Sequence, residues 1–226
     1  VQPRPCEARD HLMSAFSVAP LGEGDYFGFS LDGNGRFLLG DHTVTHNTGS
    51  MSTQVEKYHI AQKKCAIVRY AGDTRYEPTH GGLVDHAGRE YHHVPVIVAS
   101  ALGDVFDELV ACDVIGIDEV QFYDDNVEVI QRLANMGKIV VAAGLDGTAK
   151  GTPFKRMPEL IAVAESVKKK SAVCMSCHAK AGFTRKIGGN DEEVEIGGIG
   201  TYIAVCRDCM WNLSHDEVVS RVKQWG

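Results

Sequence analysis

The sequence predicts an α/β protein: a mostly parallel sheet with helices on both faces, followed by a small metal-binding module. Three observations carry this. Between residues 55 and 143, short β-branched runs alternate with helical stretches of about ten residues, the pattern of a parallel sheet covered by crossover helices. One of those runs, Val114-Ile115-Gly116-Ile117, ends on the paired acids Asp118-Glu119. After this body come two tight cysteine pairs, Cys174/Cys177 and Cys206/Cys209.

Taken in order, residues 1–19 have no clear period and the sequence does not open on Met, which suggests a chain cut from something longer. Residues 26–31 and 36–39 are short apolar runs around Asp32-Gly33-Asn34-Gly35, the signature of a β-hairpin. From Thr48 the pattern changes. Residues 55–64 read as a helix, 65–70 as a buried strand and 94–98 as a second strand. An amphipathic helix over 101–110, a strand over 114–118, a helix over 127–136 and a strand over 139–143 follow. A Gly-rich, acidic stretch over 188–200 joins the cysteine pairs. In such sheets ligands sit at the carboxyl ends of the strands.

With 226 residues and 44% hydrophobic content, the chain can bury one ordinary core and support a smaller module beside it. The longest apolar runs, 94–102 and 139–145, fall well short of the roughly 20 residues that span a bilayer, and nothing near Val1 reads as a charged-then-apolar signal peptide. The expectation is a cytoplasmic protein without a membrane partner. A net charge of −7 argues against a nucleic-acid partner, because affinity for a polyanion depends on basic residues. Any nucleotide handled is therefore small.

Cys-x-x-Cys, 28 intervening residues and a second Cys-x-x-Cys give four soft thiolates in the pattern of tetrahedral zinc. With Cys174, Cys177, Cys206 and Cys209 filling all four positions, no place is left for substrate, so the metal reads as structural. His178, next to Cys177, reads as solvent-facing. Cys6, Cys65 and Cys112 are isolated, and the last two, beside apolar strands, read as buried free thiols.

An acid pair at a strand end suits phosphoryl transfer: Asp118 can hold magnesium through water, and Glu119 can take a proton from an attacking hydroxyl. Asp73-Thr74-Arg75 follows another strand, and Arg75 can grip phosphate oxygens with paired donors. The sequence contains no Gly-x-x-x-x-Gly-Lys-Ser/Thr, the backbone cradle and lysine that bind a triphosphate, and the glycines of 33–40 lack the following lysine and helix.

From Tyr58 to Cys209 the sequence resembles the cytosolic, zinc-containing thymidine kinases of the human and vaccinia type. The resemblance is carried by Ile60-Ala61-Gln62-Lys63-Lys64-Cys65, residues 70–76 and 115–122, and Leu145-Asp146-Gly147-Thr148. Further on it is carried by Ala164-Glu165-Ser166-Val167, Ala172-Val173-Cys174-Met175-Ser176-Cys177, and Ile196-Gly197-Gly198 through Tyr202 to Cys206 and Cys209. It implies a parallel-sheet P-loop (RecA-like) kinase core with a zinc-ribbon or lasso module, a homotetramer when intact, and transfer of the ATP γ-phosphoryl group to the 5′-hydroxyl of thymidine. It further implies that Glu119 is the general base, and that Asp118 and Gln121 form the nucleotide-binding strand end. By the same resemblance Phe122 and Phe154 wall the thymine pocket, and Glu193, Val194, Glu195, Ile196, Gly197 and Tyr202 belong to a zinc-anchored lasso over the nucleoside. Two residues depart from the family pattern. Val120 replaces a glycine and mildly crowds the strand end, and Ala149 replaces a phenylalanine, which loosens affinity or shifts base preference.

Ahead of the kinase-like part, residues 26–41 resemble a splicing block of an intein, and Thr43-Val44-Thr45-His46-Asn47 before Thr48 resembles its junction. The chemistry fits: Asn47 can cyclise to cleave its own peptide bond, His46 can assist, and Thr48 supplies a hydroxyl nucleophile. Thr48 also aligns with the hydroxyl residue after the phosphate-loop lysine, a position that would hold magnesium once splicing restored the loop. The expected organisation is an intein remnant at 1–47, a kinase core lacking its first strand and phosphate loop at 48–172, a zinc module at 173–215 and a tail at 216–226. The first expectation for function is a kinase that is inactive as this fragment. Two alternatives come from other classes: the carboxy-terminal half of a trans-splicing intein, and a non-catalytic zinc-ribbon binding module, which the acidic charge and the intact Asp118-Glu119 strand end disfavour.

Overall fold

The computed structural model describes residues 47–73, 83–84, 90–91, 93–188 and 201–223. The expected hairpin over 26–41 and the proposed intein junction up to His46 lie outside them. The elements run in this order: α1 (Asn47–Ile60), β1 (Cys65–Tyr70), β2 (Leu83–Val84), β3 (Glu90–Tyr91), β4 (Val96–Ala99), α2 (Phe106–Val110), β5 (Val114–Ile117), α3 (Asn126–Asn135), β6 (Ile139–Ala142), α4 (Met157–Val163), β7 (Ala172–Val173), β8 (Lys180–Ala181), β9 (Phe183–Lys186), β10 (Tyr202–Val205), α5 (Arg207–Trp211) and α6 (His215–Lys223).

Four strands form a parallel sheet in the order β4-β1-β5-β6, with Ile67 opposite both Val96 and Gly116 and Gly116 opposite Val141. Alternation along the strands builds two cores, because successive side chains point to opposite faces. Cys65 and Ile67 of β1 and Val114 of β5 pack with Met51 and Val55 of α1. Val68 of β1 and Ile115 and Ile117 of β5 pack with Leu109 of α2, Val127, Ile130 and Leu133 of α3, and Met157 and Leu160 of α4. Gly116 lets α1 lie close: a Cβ there would sit 2.5 Å from Met51 Sδ and 3.0 Å from Val55 Cγ2.

β1 has the expected bounds, whereas the helix before it does not. It begins at Asn47 rather than residue 55, although Gly49, Ser50, Ser52 and Thr53 are weak helix formers. Tertiary packing decides here: Thr48, Met51, Ser52 and Val55 recur at helical spacing and all are buried against the sheet. The helix stops at Ile60 rather than residue 64 because Gln62 takes a left-handed conformation, φ 63°, and Lys63 N–H closes back on the Tyr58 carbonyl at 3.0 Å.

The helix expected over 101–110 divides into a 3₁₀ turn, Gly103–Val105, and the short α2. The cause is distant in sequence: the Asp125 carboxylate accepts from the backbone of Leu102 at 3.2 Å and Gly103 at 2.7 Å, and so caps the turn. β4 starts two residues later than expected, with the Pro95 carbonyl accepting from Ile67 N–H. Cys65 is buried as expected, but Cys112 is only half-buried, because it follows the exposed end of α2 rather than entering β5.

Candidate functional site

The Asp118-Glu119 pair stands where β5 leaves the sheet. Asp118 N–H donates to the Val68 carbonyl of β1, and Val120 N–H donates to the Ala143 carbonyl beyond β6, so the strand end is tied on both sides. Between them Glu119 adopts a left-handed conformation, φ 49° and ψ 43°. A non-glycine residue there is costly and persists only where its surroundings hold it.

Those surroundings are Gln121 and Asn126. The fully buried Gln121 donates from Nε2 to Glu119 Oε2 at 2.6 Å and accepts from Leu145 N–H through Oε1 at 3.1 Å. Asn126 Nδ2 donates to the Val120 carbonyl at 2.9 Å and locks the 3₁₀ turn Val120–Phe122. Val120 is itself buried, 2.9 Å from where a Gly144 Cβ would stand, so the crowding expected from Val120 is met by glycine at 144.

Thr48, in the first turn of α1, donates its hydroxyl to Asp118 Oδ1 at 3.0 Å. The two expected site residues thus meet, although 70 residues separate them. Burial, and then the charge of Glu119, push the Asp118 carboxyl up to about 7, against the pull of the Thr48 hydrogen bond. Asp118 therefore keeps its proton to a higher pH than an exposed carboxyl would, a perturbation common at sites that handle protons.

Beside the acids lies an aromatic cluster. Phe122 stands edge-on to Phe154 with ring centroids 5.8 Å apart, which unites the two expected pocket walls. Sequence reasoning missed two further members, Tyr70 at 5.1 Å from Phe122 and Tyr123 at 5.3 Å from Tyr70. Tyr123 is fully buried, and burial followed by Asp118 raises its phenol, which stays protonated. Its position in the acidic loop was the available signal, since a tyrosine next to Phe122 has to bury its ring somewhere.

Of the loop after β1, Asp73 is described and stands half-buried just beyond the strand, whereas Thr74 and Arg75 lie outside the described residues. So do Glu193, Val194, Glu195, Ile196 and Gly197 of the expected lasso, and His46. Tyr202 opens β10 opposite Lys186, and the Thr201 carbonyl accepts from Ile187 N–H at 2.8 Å, so both ends of that segment are pinned. Asn47 is the first residue of α1.

The four cysteines converge as their spacing predicts, with all four Sγ atoms within 4.8 Å of one another. Cys177 and Cys206 Sγ are 3.5 Å apart, close to the roughly 3.8 Å that tetrahedral zinc with bonds of about 2.3 Å requires. Burial alone would raise the Cys174 thiol, but backbone N–H groups of Cys206, Ser176 and Cys177 bring it down to about 7. The donor set therefore fits zinc. His178 is exposed, as expected. Arg185 clamps the module by donating to the carbonyls of Cys209 at 2.6 Å and Leu213 at 2.9 Å. No helix among the described residues is long and apolar enough to cross a membrane.

This arrangement has counterparts. A family model described as thymidine kinase matches residues 45–210. The chain is 40% identical over 164 residues to thymidine kinase 1 of Dictyostelium discoideum, covering 72% of this chain and 71% of that protein. It is 42% identical over 156 residues to the thymidine kinase of Variola virus (69% and 85%) and 40% identical over 171 residues to the cytosolic thymidine kinase of Gallus gallus (76% and 74%). With buried acids at a parallel strand end, a four-cysteine cluster later in the sequence and a match across most of its length, this chain belongs to the thymidine kinase family.

Proposed function

We propose that the chain phosphorylates the 5′-hydroxyl of thymidine with ATP, using the Asp118-Glu119 strand end. The observation that carries this is the strained Glu119 held by Gln121 beside the Thr48–Asp118 pair, an acid fixed in place at a backbone cost. In this reading Glu119 accepts the proton of the attacking hydroxyl, Phe122 and Phe154 flank the base, and Gln121 keeps the Glu119 carboxylate in line. Asp73, Thr74 and Arg75 face the phosphates, and Glu193, Val194, Glu195, Ile196, Gly197 and Tyr202 close over the nucleoside. Magnesium beside Thr48 and Asp118 would offset charge on the transferring phosphoryl group. Zinc on Cys174, Cys177, Cys206 and Cys209 would fix the ends of the closing segment. The cytosolic Gallus gallus relative supports a cytoplasmic setting, and the family suggests a homotetramer.

We also infer that residues 1–47 are an intein remnant, from the run His46-Asn47-Thr48 and the hairpin-like 26–41. The sequence has no phosphate-loop motif, so in this reading splicing joins one to Thr48, whose hydroxyl already faces Asp118. The test is a chimera in which a strand, glycine loop and lysine replace residues 1–47, assayed for thymidine phosphorylation beside the chain as it stands. Activity in the chimera alone supports both readings. Activity in the unaltered chain removes the need for splicing, and failure of both chains to bind thymidine sinks the kinase reading.

A further inference from the structure

Residues 146–154 form a tight hairpin beside the aromatic cluster. Gly147 and Pro153 pair as an antiparallel bridge, Thr148 N–H donates to the Thr152 carbonyl at 2.8 Å, and Gly151 N–H donates to the Thr148 carbonyl at 2.9 Å. One end is tied to the acids, since Leu145 N–H bonds Gln121 Oε1. The other end delivers Phe154, buried and edge-on to Phe122. The hairpin therefore sets where that aromatic wall stands.

Its tip is Gly151, in a left-handed conformation with φ 77°, and directly over it lies Trp211, the last residue of α5. A Cβ on Gly151 would sit 2.7 Å from Trp211 Cζ2 and 3.3 Å from Cη2, so the indole rests on bare backbone. Trp211 is held from behind by the cysteine module. Its ring meets Phe183 edge-on at 4.6 Å, and the Arg207 guanidinium lies over both, 4.8 Å from Phe183 and 5.1 Å from Trp211. Arg207 directly follows the ligand Cys206, and Trp211 stands two residues after Cys209.

We propose that Trp211 is a positioning residue for the nucleoside pocket: it straps the hairpin tip at Gly151 to the cysteine module and so fixes Phe154 against Phe122. The proposal rests on the thymidine-kinase reading for its consequence, but not for its mechanical part. A tryptophan that served only to hold the module together would make its contacts within the module. Here the contact is made to another element, one that ends in the pocket.

The test uses the full chain loaded with zinc. In Trp211→Ala, amide exchange at Gly151 and Phe154 should accelerate, zinc content should stay unchanged, and thymidine affinity by calorimetry should fall about tenfold, the size of one contact coupling. Trp211→Phe should recover most of that loss. Unchanged hairpin exchange in Trp211→Ala overturns the strap, whatever the wild type does with thymidine. Faster hairpin exchange with unaltered thymidine affinity overturns the positioning role. If neither the wild type nor the loop-restored chimera binds thymidine while the hairpin still responds, the strap stands and the thymidine reading fails.

Discussion

The Thr48 hydroxyl donates to Asp118 Oδ1 at 3.0 Å across a sequence separation of 70 residues, and both side chains are buried. This bond sets the start of α1 at the carboxyl end of β5. It also leaves Asp118 in a dry place beside Glu119, with consequences that titration can read.

Asp118 rises from its ordinary value of 3.8 to about 7 in the folded chain, through burial first and the Glu119 charge second. Because the folded pKa exceeds the unfolded one, the contribution of its neutral form to stability is complete below about pH 4. It is lost progressively up to about pH 7 and absent above, a change of roughly 4 kcal/mol at most by linkage. Asp118→Asn keeps an oxygen to accept from Thr48 and removes the titration. The variant should be more stable than wild type at pH 8, with the gain shrinking steadily toward pH 4. Urea unfolding across that range checks it, and a gain that does not depend on pH would refute the assignment.

Gly116 sits mid-strand in β5 with α1 directly over it, and a Cβ there would meet Met51 and Val55 at 2.5 and 3.0 Å. Alanine in a strand ordinarily gains a little over glycine, but overpacking between a helix and a sheet costs more. Gly116→Ala should lose about 1–3 kcal/mol in urea unfolding, and Met51→Ala placed beside it should recover part of that loss by opening space.

Local spacing explains what the sequence made readable. β1 and β5 are short β-branched runs with clear ends, the acid pair follows one of them directly, and each cysteine pair is a four-residue pattern. Properties set across long separations were not readable. The weak formers of 47–54 are helical because Met51 and Val55 reach a sheet built from later residues. The break at Gly103 comes from Asp125, and the left-handed Glu119 depends on a glutamine that also holds Leu145. No periodicity reports such contacts. The seat of Trp211 on Gly151 is a further case, a contact between two residues some sixty positions apart that joins the cysteine module to the 146–154 hairpin.

Glu119 is held by Gln121 Nε2 at 2.6 Å in a conformation that few residues adopt willingly. Replacing it with glutamine keeps size and hydrogen-bonding capacity but removes the proton acceptor. In a chain that carries a phosphate loop, Glu119→Gln should lower kcat about 10²–10⁴-fold with little change in thymidine affinity, the signature of general-base loss. Steady-state kinetics paired with calorimetry decides this. Loss of binding instead of turnover would make Glu119 a nucleoside ligand rather than a base.

Metal removal should divide the molecule along its architecture. The parallel sheet draws its two cores from residues 51–160, whereas the core around Cys174, Cys206 and Cys209 is made of Ala181, Ile203, Val205 and Val218. That second core is small, so a metal held by the four cysteines would supply much of its cohesion. Elemental analysis should find close to one zinc per chain in the wild type and in Cys112→Ser, whose half-buried thiol lies outside the cluster, and close to none in Cys206→Ser. Chelation should then speed amide exchange at Cys174, His178 and Met210, whose N–H groups bond within the module, while Asp118 and Ala143, bonded inside the sheet, keep their protection. Uniform loss of protection would mean that the two cores fold as one unit, with the cysteine module acting as a keystone for the sheet rather than as an attachment to it.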